Sequence, residues 1–145
     1  MRLWPYQLFP YLPDRQFRGQ LRESLAIMRS WKLKGKTNSL IINNVMNYPK
    51  EEFYSYFIYY CEVYYKRYNK EIKQIYKDEF KSFCNSSKLT DTIFKDWFNN
   101  EYIKICMTNL YEKYKYGIGR SRISENEWEI LLNGYKTITG LDYEL

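Results

Sequence analysis

Phe17, Leu21, Leu25 and Met28 recur at i, i+4, i+8 and i+11 behind Pro13 and Asp14, a spacing that predicts a first helix from about Asp14 to Trp31. Pro49 suits the first turn of a second helix reaching about Tyr68, with Phe53, Tyr56, Phe57, Tyr60 and Tyr64 on one apolar face. The rest of that helix is nearly as apolar. Only Glu52, Ser55, Tyr59, Glu62 and Lys66 make a polar stripe, so it is expected at the centre of the molecule. Ile72, Ile75, Tyr76, Phe80 and Phe83 repeat helical spacing over roughly 70–84, and Asn85-Ser86-Ser87 stops it. Asp91 to Tyr116 predicts one or two helices through Ile93, Phe94, Trp97, Phe98, Ile103, Cys106 and Leu110. Ser124 and Glu127 have capping-box spacing and open a final helix carrying Trp128, Leu131, Leu132, Tyr135 and Ile138 before Gly140.

The intervening segments are less regular. Met1 to Tyr11 carries Pro5 and Pro10 amid Leu3, Trp4, Leu8 and Phe9, which suits an extended arm packed on a core. Lys32 to Asn38 reads as a basic loop around Gly35. Leu40-Ile41-Ile42 fits a short strand, although the turn residues around it favour irregular structure or one helical turn over 40–48. The predicted architecture is all-α: a compact single-domain helical bundle over residues 1–145 with an extended N-terminal arm.

Composition narrows the chemistry. A chain of 145 residues with 45% hydrophobic positions has enough apolar material for one core and needs no disulfide or metal to hold it. A mean hydropathy of -0.67, with no long uncharged apolar run, excludes a transmembrane span. Met-Arg-Leu-Trp-Pro has no apolar run behind it to make a signal peptide, so a cytoplasmic location is expected. Lys and Arg number 23 against 17 Asp and Glu, a net charge of +6 that favours a polyanionic partner. The complete lack of histidine removes Ser-His and Cys-His nucleophile pairs and the commonest ligand of catalytic zinc. Cys61, Cys84 and Cys106 lack CxxC spacing and read as core thiols. Carboxylates, amines, tyrosines and thiols remain as the available reactive groups, and no cofactor or metal is expected.

At 100° per residue, Arg15, Arg18, Arg22 and Arg29 fall within about 60° of one another on the first helix, away from its core face. Glu23 sits on neither face. Its helical neighbours at i−4 and i+3 are Gly19 and Ala26, whose small side chains leave space beside the carboxylate, with Gln16 and Gln20 on its other side. Such a carboxylate, bordered by arginines, suits acid/base work on a phosphate-rich ligand. Taken alone, the pattern is more often a surface glutamate pairing with arginine at i,i+3 or i,i+4 spacing. Two basic loops extend the possible footprint: Lys32-Leu33-Lys34-Gly35-Lys36, and the stretch from Lys113 through Lys115, Gly117, Gly119 and Arg120 to Arg122. In the second, glycines allow close backbone approach to phosphates and interleaved tyrosines can stack on bases.

Met1-Arg2-Leu3 followed by Leu12-Pro13-Asp14-Arg15-Gln16-Phe17-Arg18-Gly19-Gln20-Leu21-Arg22-Glu23 resembles the N-terminal region of pyrimidine-dimer DNA glycosylases of the phage endonuclease V type. The chain is more similar still to uncharacterised bacterial relatives that begin Met-Arg-Leu-Trp. With them the resemblance extends through Gly35-Lys36 and Tyr48-Pro49, and weakly to Cys106, Asn109, Leu110 and Lys113.

The resemblance implies an all-α DNA-repair glycosylase and AP lyase acting on damaged duplex DNA, at a pyrimidine dimer or an abasic site. In that family the N-terminal α-amine attacks the sugar C1′, an imine forms, and β-elimination nicks the strand. Met1 would supply the amine, since bulky Arg2 should prevent methionine removal. Glu23 matches the assisting glutamate, and Arg2 and Arg22 match arginines that hold phosphates or substrate. An α-amine has a pKa of about 7.7–8.0 against about 10.4 for lysine, so at neutral pH it offers roughly a few hundred-fold more of the nucleophilic form. The family's histidine on the first helix is replaced by Gln16 and a further arginine by Ala26, with Arg18 or Arg29 as compensating charges. Arg15, Arg18, Lys36, Lys115, Arg120 and Arg122 complete the expected DNA footprint. The competing expectation is a non-catalytic DNA-binding or interaction module that binds in a salt-dependent way without covalent chemistry.

Overall fold

In the computed structural model, which describes residues 2–145 apart from the side chain of Ser121, the first helix, α1, spans Asp14–Lys34. Lys32 and Lys34 are therefore helical, not part of a loop. Lys and Leu are good helix formers, and cations in the last turn complement the helix dipole. The chain leaves the helix only at Gly35, whose φ of 70° places it in the left-handed region and whose N–H reaches the Trp31 carbonyl. Phe17, Leu25, Ile27 and Met28 are buried on its core side together with two polar residues, Gln20 and Ser24.

Helix α2 (Lys50–Tyr68) begins one residue after Pro49 and is central, as its composition predicts. Phe53, Tyr56, Phe57 and Tyr60 have no solvent exposure. Helix α3 (Gln74–Cys84) packs back on α2, with Phe57 and Phe80 stacked at 4.1 Å and 12°. It starts later than residue 70 because Asn69 ends α2 in the left-handed region and residues 70–73 reverse the chain. The expected polar stripe of α2 is partly covered: Ser55 Oγ accepts from Thr90 N at 2.8 Å, and Glu52 Oε1 from Phe94 N at 2.8 Å.

Residues 91–99 form no α-helix, although Phe94, Trp97 and Phe98 are all buried. Phe94 has a φ of 50°, and its carbonyl alone takes the N–H groups of both Trp97 and Phe98. The aromatic spacing there serves a hook into the core. Helix α4 (Asn100–Tyr116) starts only after Asn99, whose side chain caps Tyr102 N at 2.9 Å. Helix α5 (Glu125–Thr139) has the complete Ser124–Glu127 capping box and stops at Gly140, φ 76°. Short 3-10 turns lie at Tyr6–Leu8, Ile42–Asn47 and Gly119–Ser121. The helical alternative thus holds for 42–47, and no strand occurs among the described residues. No helix is long and apolar enough to cross a membrane.

Four apolar residues of the arm are buried with the core: Leu3, Leu8 and Phe9 have no exposure and Trp4 has 5%. It holds one 3-10 turn where an extended run was expected. Arg67 ties it down by donating to the Phe9 carbonyl at 2.8 Å and to Asp14 at 3.1 Å. Tyr11 lies on Gly134 of α5, where any Cβ would overlap the ring. All three cysteines are buried and unpaired with one another; burial pushes the Cys61 and Cys106 thiols up to about 12.

Candidate active site

The arm and α1 meet at Gln20, which is 1% exposed. Its Oε1 accepts from Trp4 N at 2.8 Å, while its Nε2 donates to the Arg2 carbonyl at 3.0 Å and to Ser24 Oγ at 3.2 Å. The same stretch is gripped from the other side. The Tyr56 hydroxyl donates to the Trp4 carbonyl at 2.6 Å, and the Tyr102 hydroxyl to the Leu3 carbonyl at 3.4 Å. Residues 2–4 thus have their backbone held by the buried Gln20 of α1 and Tyr56 of α2 and by the partly buried Tyr102 of α4, which fixes the path of the chain over these residues. Burial pushes the Tyr56 and Tyr102 phenols above their ordinary range, so they remain proton donors at any physiological pH.

Glu23 stands less than one helical turn beyond Gln20 on α1 and is half-buried. Arg2, Trp4, Arg15, Gln16, Gly19, Gln20, Arg22, Glu23 and Lys113 enclose a cavity of about 320 Å³. Nothing lies within 4 Å of where a Gly19 Cβ would stand, so the gap expected beside Glu23 exists. Arg2 lies over the Trp4 ring at 4.8 Å. Met1, the expected source of the amine, lies outside the described residues.

A larger cleft of about 750 Å³ shares Arg15, Gln16, Gly19 and Arg22 with this cavity and adds Arg18, Arg120 and Arg122. The arginines of α1 and the second basic loop therefore converge across one opening. Both carboxylates in that cleft are occupied. Asp14 accepts from Tyr68 at 2.7 Å and pairs with Arg67 at 3.1 Å, and Glu127 closes the capping box. Two guanidiniums lie near the Tyr68 ring, Arg18 at 4.3 Å and Arg67 at 5.5 Å from its centre. The hydrogen bond to Tyr68 raises the Arg18 pKa above its ordinary value. What the cleft presents outward is positive charge.

Other expected residues lie elsewhere. Arg29 leaves the ridge to form a two-point pair with Glu79 of α3, at 2.7 and 2.8 Å, and that bond holds the Glu79 carboxyl below its usual range. Lys36 and Lys115 are exposed and line neither cavity; the Lys34 end of α1 is roughly 16 Å along the axis from Glu23 at 1.5 Å per residue. Gly117 is close to the Lys113 carbonyl and the Arg122 Cα rather than open to a ligand. Gly119, with φ 65°, has open space above it. Tyr114 stacks on Trp128 at 5.5 Å and 9°, so it belongs to packing.

Gln20, Arg67 and Tyr68 are the contributors that sequence reasoning assigned no such role. For Gln20 a signal existed: Ser24 and Gln20 fall at about −20° and −60° from Phe17 on a helical wheel, within or beside the apolar face, where polar side chains need buried partners.

The family model for pyrimidine dimer DNA glycosylase matches residues 1–75. That span covers the arm, α1 and α2, and with them Gln20, Glu23 and every arginine of α1. No curated protein and no solved structure matches the chain. With just over half of its 145 residues matched, and the matched half being the one that carries the arm and its glutamate, the chain belongs to the pyrimidine dimer DNA glycosylase family.

Proposed function

We propose that this protein is a DNA-repair glycosylase and AP lyase that works through its N-terminal amine. The observation that carries the reading is the double hold of Gln20 on Arg2 and Trp4, which ties the start of the chain to the wall of the cavity that contains Glu23. In the glycosylase step the unprotonated α-nitrogen of Met1 forms a bond to C1′. The damaged base leaves with the electron pair of its glycosidic bond and takes up a proton; the attached nitrogen then gives up a proton, its lone pair expels O4′ from C1′, and O4′ is protonated as the ring opens to the iminium. Glu23 stands by to move protons and to stabilise the positive iminium nitrogen. Loss of a C2′ proton then expels the 3′ phosphate, and water releases the amine. At a site that is already abasic the amine condenses with the sugar aldehyde, losing water, and the same elimination follows. Arg2, Arg22 and Arg15 serve the phosphates at the cavity, and Arg18, Arg120 and Arg122 those along the adjoining cleft.

Borohydride reduction of the iminium tests this directly. Untagged protein mixed with abasic-site duplex and borohydride is expected to give a covalent protein–DNA band, and protein acetylated at its α-amine none. Salt-dependent binding to the same duplex with no trapped band would overturn the catalytic reading and leave a binding module.

Gly19 provides an independent check. A glycine inside a helix costs roughly 0.5–1 kcal/mol relative to alanine, and no neighbour lies within 4 Å of where the Gly19 Cβ would stand. Gly19→Ala is expected to raise the melting temperature by about 2–4 °C. Gly19→Leu should fold equally well but lower nicking by at least about tenfold, because it fills the gap beside Glu23. Unimpaired nicking by Gly19→Leu would remove the cavity from the mechanism.

A further inference from the structure

Tyr116 and Ile118 are 75% and 85% exposed, large apolar side chains in a stretch that also carries Lys113, Lys115, Arg120 and Arg122. They flank Gly117, where α4 ends. There the Lys113 carbonyl accepts from Gly117 N at 3.1 Å and from Ile123 N at 3.4 Å, and a Cβ on Gly117 would overlap that carbonyl and press on the Arg122 Cα. The two ends of the 117–123 loop are thus drawn together over Ile123, which is 1% exposed. The loop has a fixed base. Gly119 then turns the chain so that Arg120 and Arg122 line the larger cleft, while Lys113 lines the smaller cavity.

Arginines on this rim suit phosphates; Tyr116 and Ile118 do not. A surface that satisfies both is a base step of duplex DNA whose backbone lies against the arginines, because an apolar side chain can enter between bases and part their stacking. We infer that the Tyr116–Ile118 tip enters the base stack of bound DNA beside the cleft and unstacks the step next to the nucleotide that Glu23 faces. The inference takes its DNA substrate from the repair reading above but requires no amine chemistry.

The test uses a duplex with 2-aminopurine beside a tetrahydrofuran abasic analogue, which has no aldehyde and forms no imine. Saturating wild-type protein should raise 2-aminopurine fluorescence as the base leaves the stack. The Tyr116→Ser/Ile118→Ser double variant, checked for folding by circular dichroism, should bind with the same dependence on salt yet give less than about a third of that rise. Ile118→Leu with Tyr116 intact should keep the full rise. Three results would overturn the wedge: an undiminished signal from the double variant, a wild-type complex with no signal, or a double variant whose salt dependence collapses. The borohydride band on a natural abasic site reports on the amine separately, so either idea can fail without the other.

Discussion

Replacing Glu23 by glutamine is expected to lower strand nicking at an abasic site by about 10²–10⁴-fold, the usual worth of a positioned proton-transfer group. The substitution keeps the shape of the side chain, so the gap at Gly19 and the reach of Arg22 are preserved. Binding to intact duplex should hold its dependence on salt, because in the proposed reading the phosphate contacts come from arginines and the slope counts only those. Arg22→Gln makes the contrast: it should weaken binding to every duplex and reduce the salt slope by about 1, with a smaller loss in the chemical step. Single-turnover nicking at saturating protein separates the two. Glu23→Gln nicking at the wild-type rate would show that the carboxylate is a surface ion-pairing group and that some other group moves the protons.

The features that were legible in the sequence are those set by neighbours along the chain. The α1 apolar stripe, the Ser124–Glu127 capping box and the Gly140 stop each depend on a few adjacent residues, and each is found. Features set by distant partners were not legible. Arg29 has the same helical phase as Arg18, and only the approach of Glu79 on α3 takes it out of the ridge. Ser55 counts as polar surface until Thr90 covers it. The 91–99 segment has helical spacing of its aromatics, yet the core takes Phe94 at a φ of 50°, which a right-handed helix does not permit. The candidate site divides in the same way. Glu23 and the open space at Gly19 could be anticipated because they share one helix. The approach of Arg120 and Arg122 across the cleft could not, since it depends on how the end of α4 leads into α5.

Gln20→Glu is expected to be the most damaging single change outside the reacting groups, and it shows why the arm matters. The carboxylate keeps an acceptor for Trp4 N but has no proton to give the Arg2 carbonyl, so one of the two holds becomes a repulsion between oxygens in a buried place. Loss of a buried hydrogen bond with an unsatisfied partner costs about 1–3 kcal/mol, and burying a charge adds to it. Gln20→Ala should cost about 2–4 kcal/mol, because it also leaves Trp4 N without its acceptor and opens a small void. Tyr56→Phe is the matched control: it removes a buried hydrogen bond to the Trp4 carbonyl at comparable cost but leaves the hold on Arg2 intact. Measured well below the melting temperature of each variant, the borohydride adduct with abasic DNA should fall by at least about tenfold in both Gln20 variants and by much less in Tyr56→Phe. Equal losses would mean that general destabilisation, rather than the position of Arg2 beside Glu23, controls the yield. Undiminished trapping by folded Gln20→Glu would mean that the amine reaches its target without being anchored through Arg2.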